Sequence, residues 1–257
     1  RLIAAAGLRV LVATAVPVER DAVARAFAGP FREVELPGVT LGRLAPEAAP
    51  EAAPKAAAAP VAFDLAAVGV GPAAAAAGTA TALTAATVDG TPYDLVVSAG
   101  IAGGFHPEAP VGSLVVADEI TVADLGADTP DGFLPVTELG FGTVSHRPPQ
   151  SLVRDLAAAT GARTGAVLTV STVTGTAARA AELRARHPRA LAEAMEGFGV
   201  AEAAVAHGLP VLEVRAVSNP VGPRDRAAWR IGDALTTLTA AFGKLAPVLE
   251  SWNPYDQ

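Results

Sequence analysis

Several stretches of this sequence hold residues able to do chemistry without a metal. Glu19 lies just past the short apolar run Arg9–Ala13, in the first turn of a helical pattern that puts Val16, Val23 and Phe27 on one face. Ser98-Ala99-Gly100-Ile101-Ala102-Gly103-Gly104 follows another apolar run, and Ser171 to Gly175 a third. Met195-Glu196 opens an expected helix, and Ser218-Asn219 closes the last apolar run. This set contains no histidine, and no pair of histidines or carboxylates has metal-ligand spacing. The chain has no cysteine, which excludes disulfides, thiolate nucleophiles and zinc–thiolate sites. What remains is two carboxylates, an amide and a glycine-lined stretch of backbone. That inventory points to acid–base chemistry with no metal and no cofactor.

All of these except Met195-Glu196, which open the helix before the last strand, follow an expected strand. The strands are Arg9–Ala13, Phe63–Val68, Tyr93–Ser98, Val111–Thr121, Ala166–Val170 and Val211–Val217. Helices are expected after the first, from Pro72 to about Val88, and over Ser151–Thr160, Thr176–Arg186, Met195–His207 and Ile231–Leu249. Such alternation predicts one α/β domain over residues 1–257: three layers, with helices on both faces of a mostly parallel central mixed sheet. In sheets of this kind ligands bind beyond the carboxyl ends of the strands. Residues 44–60, dense in Ala-Pro repeats, cannot hold a stable helix and read as an extended loop insertion. Asp124 to Gln150 is rich in turn residues and reads as loop.

Composition narrows the partners. A net charge of -7 argues against a nucleic-acid or anionic-membrane surface, while leaving room for one arginine in a pocket. The uncharged stretch Leu65–Val88 contains Gly69, Gly71, Pro72 and Gly78 and is otherwise mostly Ala and Thr, so it is not read as a membrane span. The start of the chain makes a poor signal peptide, and a cytoplasmic location is expected. Gly69-Val70-Gly71 with Ala74 imitates a dinucleotide fingerprint, but no convincing ribose-binding acid follows. His106 and His207 read as surface or capping residues.

Taken in order, several pieces resemble the nucleoside phosphorylase family, which includes the methylthioadenosine/S-adenosylhomocysteine nucleosidases and the futalosine hydrolases. They are Ala15-Val16-Pro17-Val18-Glu19, Gly69-Val70-Gly71-Pro72-Ala73-Ala74 and Gly100-Ile101-Ala102-Gly103-Gly104. Then come Val111 to Glu119, Ala194-Met195-Glu196-Gly197 and Val214-Arg215-Ala216-Val217-Ser218-Asn219. The resemblance implies cleavage of a ribosyl C–N bond through an oxocarbenium-like transition state. It gives Glu19 the role of positioning and deprotonating water, and Glu196 that of accepting hydrogen bonds from the ribose hydroxyls. Met195 would lie against the sugar. Ile101, Ala102, Gly103, Val173, Thr174 and Ser218 would line the substrate site. A nucleoside is the implied small-molecule partner, and the family implies a homo-oligomer.

Two departures refine the expectation. Adenine-cleaving members have Asp where this chain has Asn219. An amide can donate to a 6-oxo group and accept from a protonated N7, whereas a carboxylate would repel the oxo group. A 6-oxopurine, hypoxanthine above all, is therefore expected. Phosphorylases of the family carry Arg-Val-Gly-Ser where this chain has Ser98-Ala99-Gly100-Ile101, so two phosphate donors are gone and water is the expected nucleophile. Ala194 to Gly199 and Ser218 to Asp225 resemble the futalosine hydrolases, which act in an alternative route to menaquinone. Their substrate is an inosine derivative with a benzoate-bearing tail, and Arg224 or Arg226 could supply the cation that tail needs. The competing readings are a methylthioadenosine/S-adenosylhomocysteine nucleosidase, an inosine phosphorylase and a non-catalytic nucleoside-binding relative.

Overall fold

The computed structural model describes residues 7–44 and 61–253, so all of the Ala-Pro segment except Leu44 lies outside the described residues. The elements in order are β1 (Arg9–Thr14), α1 (Pro17–Ala24), β2 (Phe31–Leu36), β3 (Val39–Leu44), β4 (Ala62–Ala67), α2 (Pro72–Val88) and β5 (Leu95–Gly104). Next come β6 (Leu114–Val122), β7 (Gly126–Thr129), β8 (Gly132–Pro135), β9 (Ser145–His146), α3 (Gln150–Thr160), β10 (Arg163–Thr169) and α4 (Ala177–Arg186). The last are β11 (Ala190–Ala194), α5 (Gly197–Ala206), β12 (Val211–Pro220) and α6 (Ile231–Ser251). Among the described residues no helix is long and apolar enough to cross a membrane.

The expected three-layer α/β/α arrangement is present. Alternate residues of the central strands enter different cores, as a sheet covered on both faces requires. Val10, Val12, Leu95, Val97, Leu212 and Val214 pack under α1, α3 and α6. Leu11, Ala13, Val96, Val211 and Val217 pack under α2 and α5. At roughly 25 cal/mol per Å2 of apolar surface removed from water, this double-sided burial is the main force holding the sheet's centre.

The strand order is β11-β10-β6-β12-β5-β1-β4-β3-β2. β4, β1, β5 and β12 run parallel, and so do β6, β10 and β11, with β6 antiparallel to β12. β11 also pairs with β5, antiparallel, through Ala192–Gly104 and Glu193–Gly103. Strands β5, β12, β6, β10 and β11 therefore close on themselves as a ring. Because β11 runs back along β5, the residues after Glu193 return toward Ile101 and Gly100.

Some local expectations are corrected. Gly100 to Gly104 lie within β5, not in a loop after it, and Ser218-Asn219 lie within β12. β12 slips register against β5 between Val217 and Asn219, a bulge that re-aims Ser218 and Asn219. Met195 and Glu196 do not open a helical run; they form the turn between β11 and α5, with Glu196 as the helix N-cap. The expected loop from Asp124 to Gln150 holds the β7–β8 hairpin and β9. The β2–β3 hairpin is not among the strands expected from the sequence.

Candidate active site

One cavity of about 550 Å3 opens where β1, β5, β11 and β12 end, with Val70 just beyond β4. All ten expected site residues line it: Glu19, Ile101, Ala102, Gly103, Val173, Thr174, Met195, Glu196, Ser218 and Asn219. Its size falls within the roughly 300–1,000 Å3 of small-molecule sites. Two other clefts, of about 360 and 580 Å3, lack such a convergence of buried carboxylates and amide.

At one pole stands Glu19, only 4% exposed. Pro17 at the start of α1 and the Val16 cap bring this carboxylate back over the helix end. Its Oε2 accepts from the N–H of Ala15 at 3.0 Å and of Val16 at 3.3 Å, and Oε1 accepts from the N–H of Ile101 at 2.9 Å. Glu19 thus caps its helix and faces the cavity at once. Burial pushes its pKa up, the Arg215 charge and the Ile101 N–H pull it back, and Glu196 pushes it up again. That is the direction a general base working near neutral pH requires.

Glu196 is held from three directions. The Gly71 N–H, at the N-terminus of α2, reaches Oε1 at 3.4 Å, and the Met195 N–H reaches Oε2 at 3.3 Å. Arg215 Nη1 stands 3.3 Å from Oε2.

Arg215 organises this pole and is fully buried. Its Nε donates to Glu213 Oε1 at 2.8 Å, and its Nη2 to Ser98 Oγ at 3.0 Å. Three carboxylates, Glu19, Glu196 and Glu213, surround this single guanidinium. Burial drives Glu213 above the usual carboxylate range, with Arg215 acting against it. Two glycines make the packing possible. A Cβ on Gly100 would stand 2.6 Å from Glu19 Oε1 and 2.8 Å from Arg215 Nη1. A Cβ on Gly197 would overlap both oxygens of Glu213. Ser98 is fully buried and committed to Arg215.

The other pole lies three residues along β5, roughly 10 Å at the rise of an extended strand. There Asn219 Nδ2 donates to the Pro220 carbonyl at 3.0 Å, and Oδ1 accepts from Ser218 Oγ at 2.9 Å. A carbonyl can only accept, so it fixes which end of the amide faces it. One N–H and one lone pair of Asn219 are left over for a ligand. Arg226 and Trp229 also line the cavity, and the guanidinium of Arg226 lies 6.0 Å from the Trp229 ring centre. Arg224 is not among the lining residues, although its guanidinium also faces Trp229, at 5.5 Å. His207 caps the end of α5, as expected.

Arg215, Glu213 and Glu193 are not among the site residues expected from the sequence. A signal existed for each, since Val211-Leu-Glu-Val-Arg places two opposite charges two apart on one face of an apolar strand, and Ala192-Glu193-Ala194 buries a lone acid.

Comparison with known proteins agrees with this architecture. The sequence model of the Phosphorylase superfamily matches residues 64–250. A futalosine hydrolase from Streptomyces coelicolor is 72% identical over 250 residues, 97% of this chain and 100% of that protein. A futalosine hydrolase from Thermus thermophilus is 35% identical over 159 residues, 60% of this chain and 70% of its own. In fold, the native structure of a Helicobacter pylori futalosine hydrolase superposes with a TM-score of 0.75 at 16% identity, covering 93% of this chain and 97% of that one. A methylthioadenosine/S-adenosylhomocysteine nucleosidase from Colwellia psychrerythraea, solved with adenine, gives 0.73 at 22% identity over 95% of each chain. The chain belongs to the Phosphorylase superfamily.

Proposed function

We propose that this chain hydrolyses the N-glycosidic bond of a 6-oxopurine nucleoside, with futalosine as substrate and hypoxanthine as the released base. The observation that carries the reading is 72% identity across the whole length of the Streptomyces coelicolor futalosine hydrolase. The two-pole cavity supports it chemically. Glu19, ionised, takes a proton from water as that oxygen bonds to the anomeric carbon and the C–N bond breaks. Glu196, anchored by Arg215, accepts from the ribose hydroxyls, with Met195 against the sugar. At the far pole the spare N–H of Asn219 meets O6, and its spare lone pair accepts from the N7–H that forms as N7 takes a proton from solvent water, so that the base departs neutral; Glu19 returns its own proton to solvent and the sum is one water consumed. Fixed groups of this kind, aimed where charge develops, supply the largest share of such rate enhancements. The benzoate of the tail is assigned to Arg226, which lines the cavity where Arg224 does not. The homo-oligomeric state and cytoplasmic location implied by the resemblance belong to the same proposal.

Base release from futalosine, inosine and methylthioadenosine, with and without phosphate, tests it. Hypoxanthine should appear from futalosine at a rate indifferent to phosphate, with little adenine from methylthioadenosine. Strict phosphate dependence with ribose 1-phosphate as product would refute hydrolysis. Preferential adenine release would favour the nucleosidase alternative, which Asn219 opposes.

A further inference from the structure

We infer that Glu213 is a positioning residue: from behind the cavity wall it grips the Nε edge of Arg215 and so aims the far edge of that guanidinium at Glu196 and Glu19. The inference rests on the proposed hydrolase reading and adds to it the residue that sets its hydrolytic pole. Arg215 of β12 pairs in register with Gly100 of β5, and Glu213 with Ser98. Residues in register, and residues two apart on a strand, point to the same face of a sheet. The four therefore share one face, with Gly100 leaving the space that the guanidinium fills. A guanidinium is a rigid planar fork, so fixing two of its nitrogens fixes the third. Glu213 Oε1 holds Nε at 2.8 Å, and Ser98 Oγ holds Nη2 at 3.0 Å. Nη1 then has one direction left. It stands 3.3 Å from Glu196 Oε2 and shares the space over Gly100 with Glu19 Oε1.

Glu213 is fully buried, it does not line the cavity, and its Oε2 has no hydrogen-bond partner among the described residues. A buried ion pair is a weak source of stability, and apolar residues of similar volume often serve as well or better. Stability alone therefore does not account for an acid here. The chain also keeps a slot for it. Gly197 opens α5, and a Cβ there would stand 2.3 Å from both Glu213 oxygens. The turn that presents Glu196 to the cavity thus also seats Glu213. Arg215 is faced by Glu213 from its own strand, Glu196 from this turn and Glu19 from α1. Burial raises the pKa of Glu19, the Arg215 charge opposes that rise and the Glu196 charge adds to it. If the guanidinium loses its aim, Nη1 leaves the gap between the two carboxylates and the pKa of Glu19 climbs.

Two substitutions separate reach from charge. Glu213→Asp keeps the charge and draws it back by one methylene. Glu213→Gln keeps the reach, with a carbonyl that still accepts from Nε, and removes the charge. The test follows the titration of Glu19 in the intact free protein by carbon-13 NMR of the glutamate carboxyls, assigned with Glu19→Gln, alongside the pH profile of kcat/KM for futalosine. In Glu213→Asp, Glu19 should titrate at a pH higher by about 0.5 or more, the acid limb should move up with it, and kcat/KM near neutral pH should fall by about 100-fold. In Glu213→Gln the Glu19 titration should not rise, and kcat/KM should stay at least about 10-fold above that of the Asp variant. A merely structural role would lower the active fraction at every pH and leave the titration and the limb in place. Should Glu213→Asp fail to fold, Gly197→Ala, which drives a methyl into the same carboxylate, should give the same upward move. A Glu19 titration that these changes leave in place, or that Gln raises as far as Asp does, overturns the assignment. The NMR titration needs no turnover, so failure here is separable from failure of the hydrolase reading, which absent or phosphate-dependent base release would show.

Discussion

Replacing Arg215 with Met removes a cation of similar length from a fully buried position. The Nε bond to Glu213 at 2.8 Å, the Nη2 bond to Ser98 at 3.0 Å and the 3.3 Å approach to Glu196 are all lost. Breaking a buried pair from one side costs about 3–5 kcal/mol, because the partner charge stays behind. Here several carboxylates share the loss, so the upper part of that range applies at neutral pH. For a chain of this size each kcal/mol moves Tm by roughly 2–4 °C, so about 4–5 kcal/mol gives a fall of roughly 8–20 °C. The pH dependence identifies the cause. Glu19 and Glu213 already titrate above the ordinary carboxylate range, and losing the cation raises them further. Groups with raised native pKa values support the fold at low pH and cease to do so as pH rises through those values. The deficit of the variant should therefore be small near pH 5 and large near pH 8. Thermal unfolding followed by far-UV circular dichroism at both pH values is sufficient. A fall of less than about 3 °C at the higher pH, or an equal fall at both, would refute the charge-cluster argument.

Glu19→Gln should lower kcat by about 100- to 10,000-fold. In the wild type the acid limb of the pH–rate profile should lie above the ordinary carboxylate value, since only the ionised base works and burial raises its pKa; a limb at or below that value contradicts the role. Gly197→Ala drives a methyl into the Glu213 carboxylate and should cost about 2–4 kcal/mol, while the double change with Glu213→Ala should recover part of the loss in melting temperature. Asn219→Asp sets a carboxylate oxygen against the Pro220 carbonyl, where Nδ2 now donates at 3.0 Å. The ratio of hypoxanthine to adenine release should drop by about 100-fold or more, and an unchanged ratio removes Asn219 from base recognition.

Where burial and period agree, the elements were legible. α2 was expected from Pro72 to about Val88 and spans Pro72–Val88, because proline starts it and a long alanine-rich run follows. β11 was not legible, because Ala190-Leu-Ala-Glu-Ala has the composition of a helix. It is a strand only because β10 and β5 offer partners on both sides, which is a tertiary fact. The β2–β3 hairpin had a local signal, Pro37-Gly38 between two strand-like runs, that charge-rich β2 obscured. At the site, family resemblance located Glu19, Glu196 and Asn219, while Arg215 was quoted only as part of a motif. What binds it to three acids is the convergence of α1, β11 and β12, and no spacing within one segment encodes that.

The ring formed by β5, β12, β6, β10 and β11 seals one flank of the sheet, and the other flank ends at β2. That strand reads Phe-Arg-Glu-Val-Glu-Leu, with Arg32, Glu33 and Glu35 exposed. A strand from another molecule adding there would have to strip water from charges of both signs before gaining a hydrogen bond. The border of the sheet is thus guarded electrostatically where it is open and topologically where it is shut, which protects a long apolar sheet from fibrous growth.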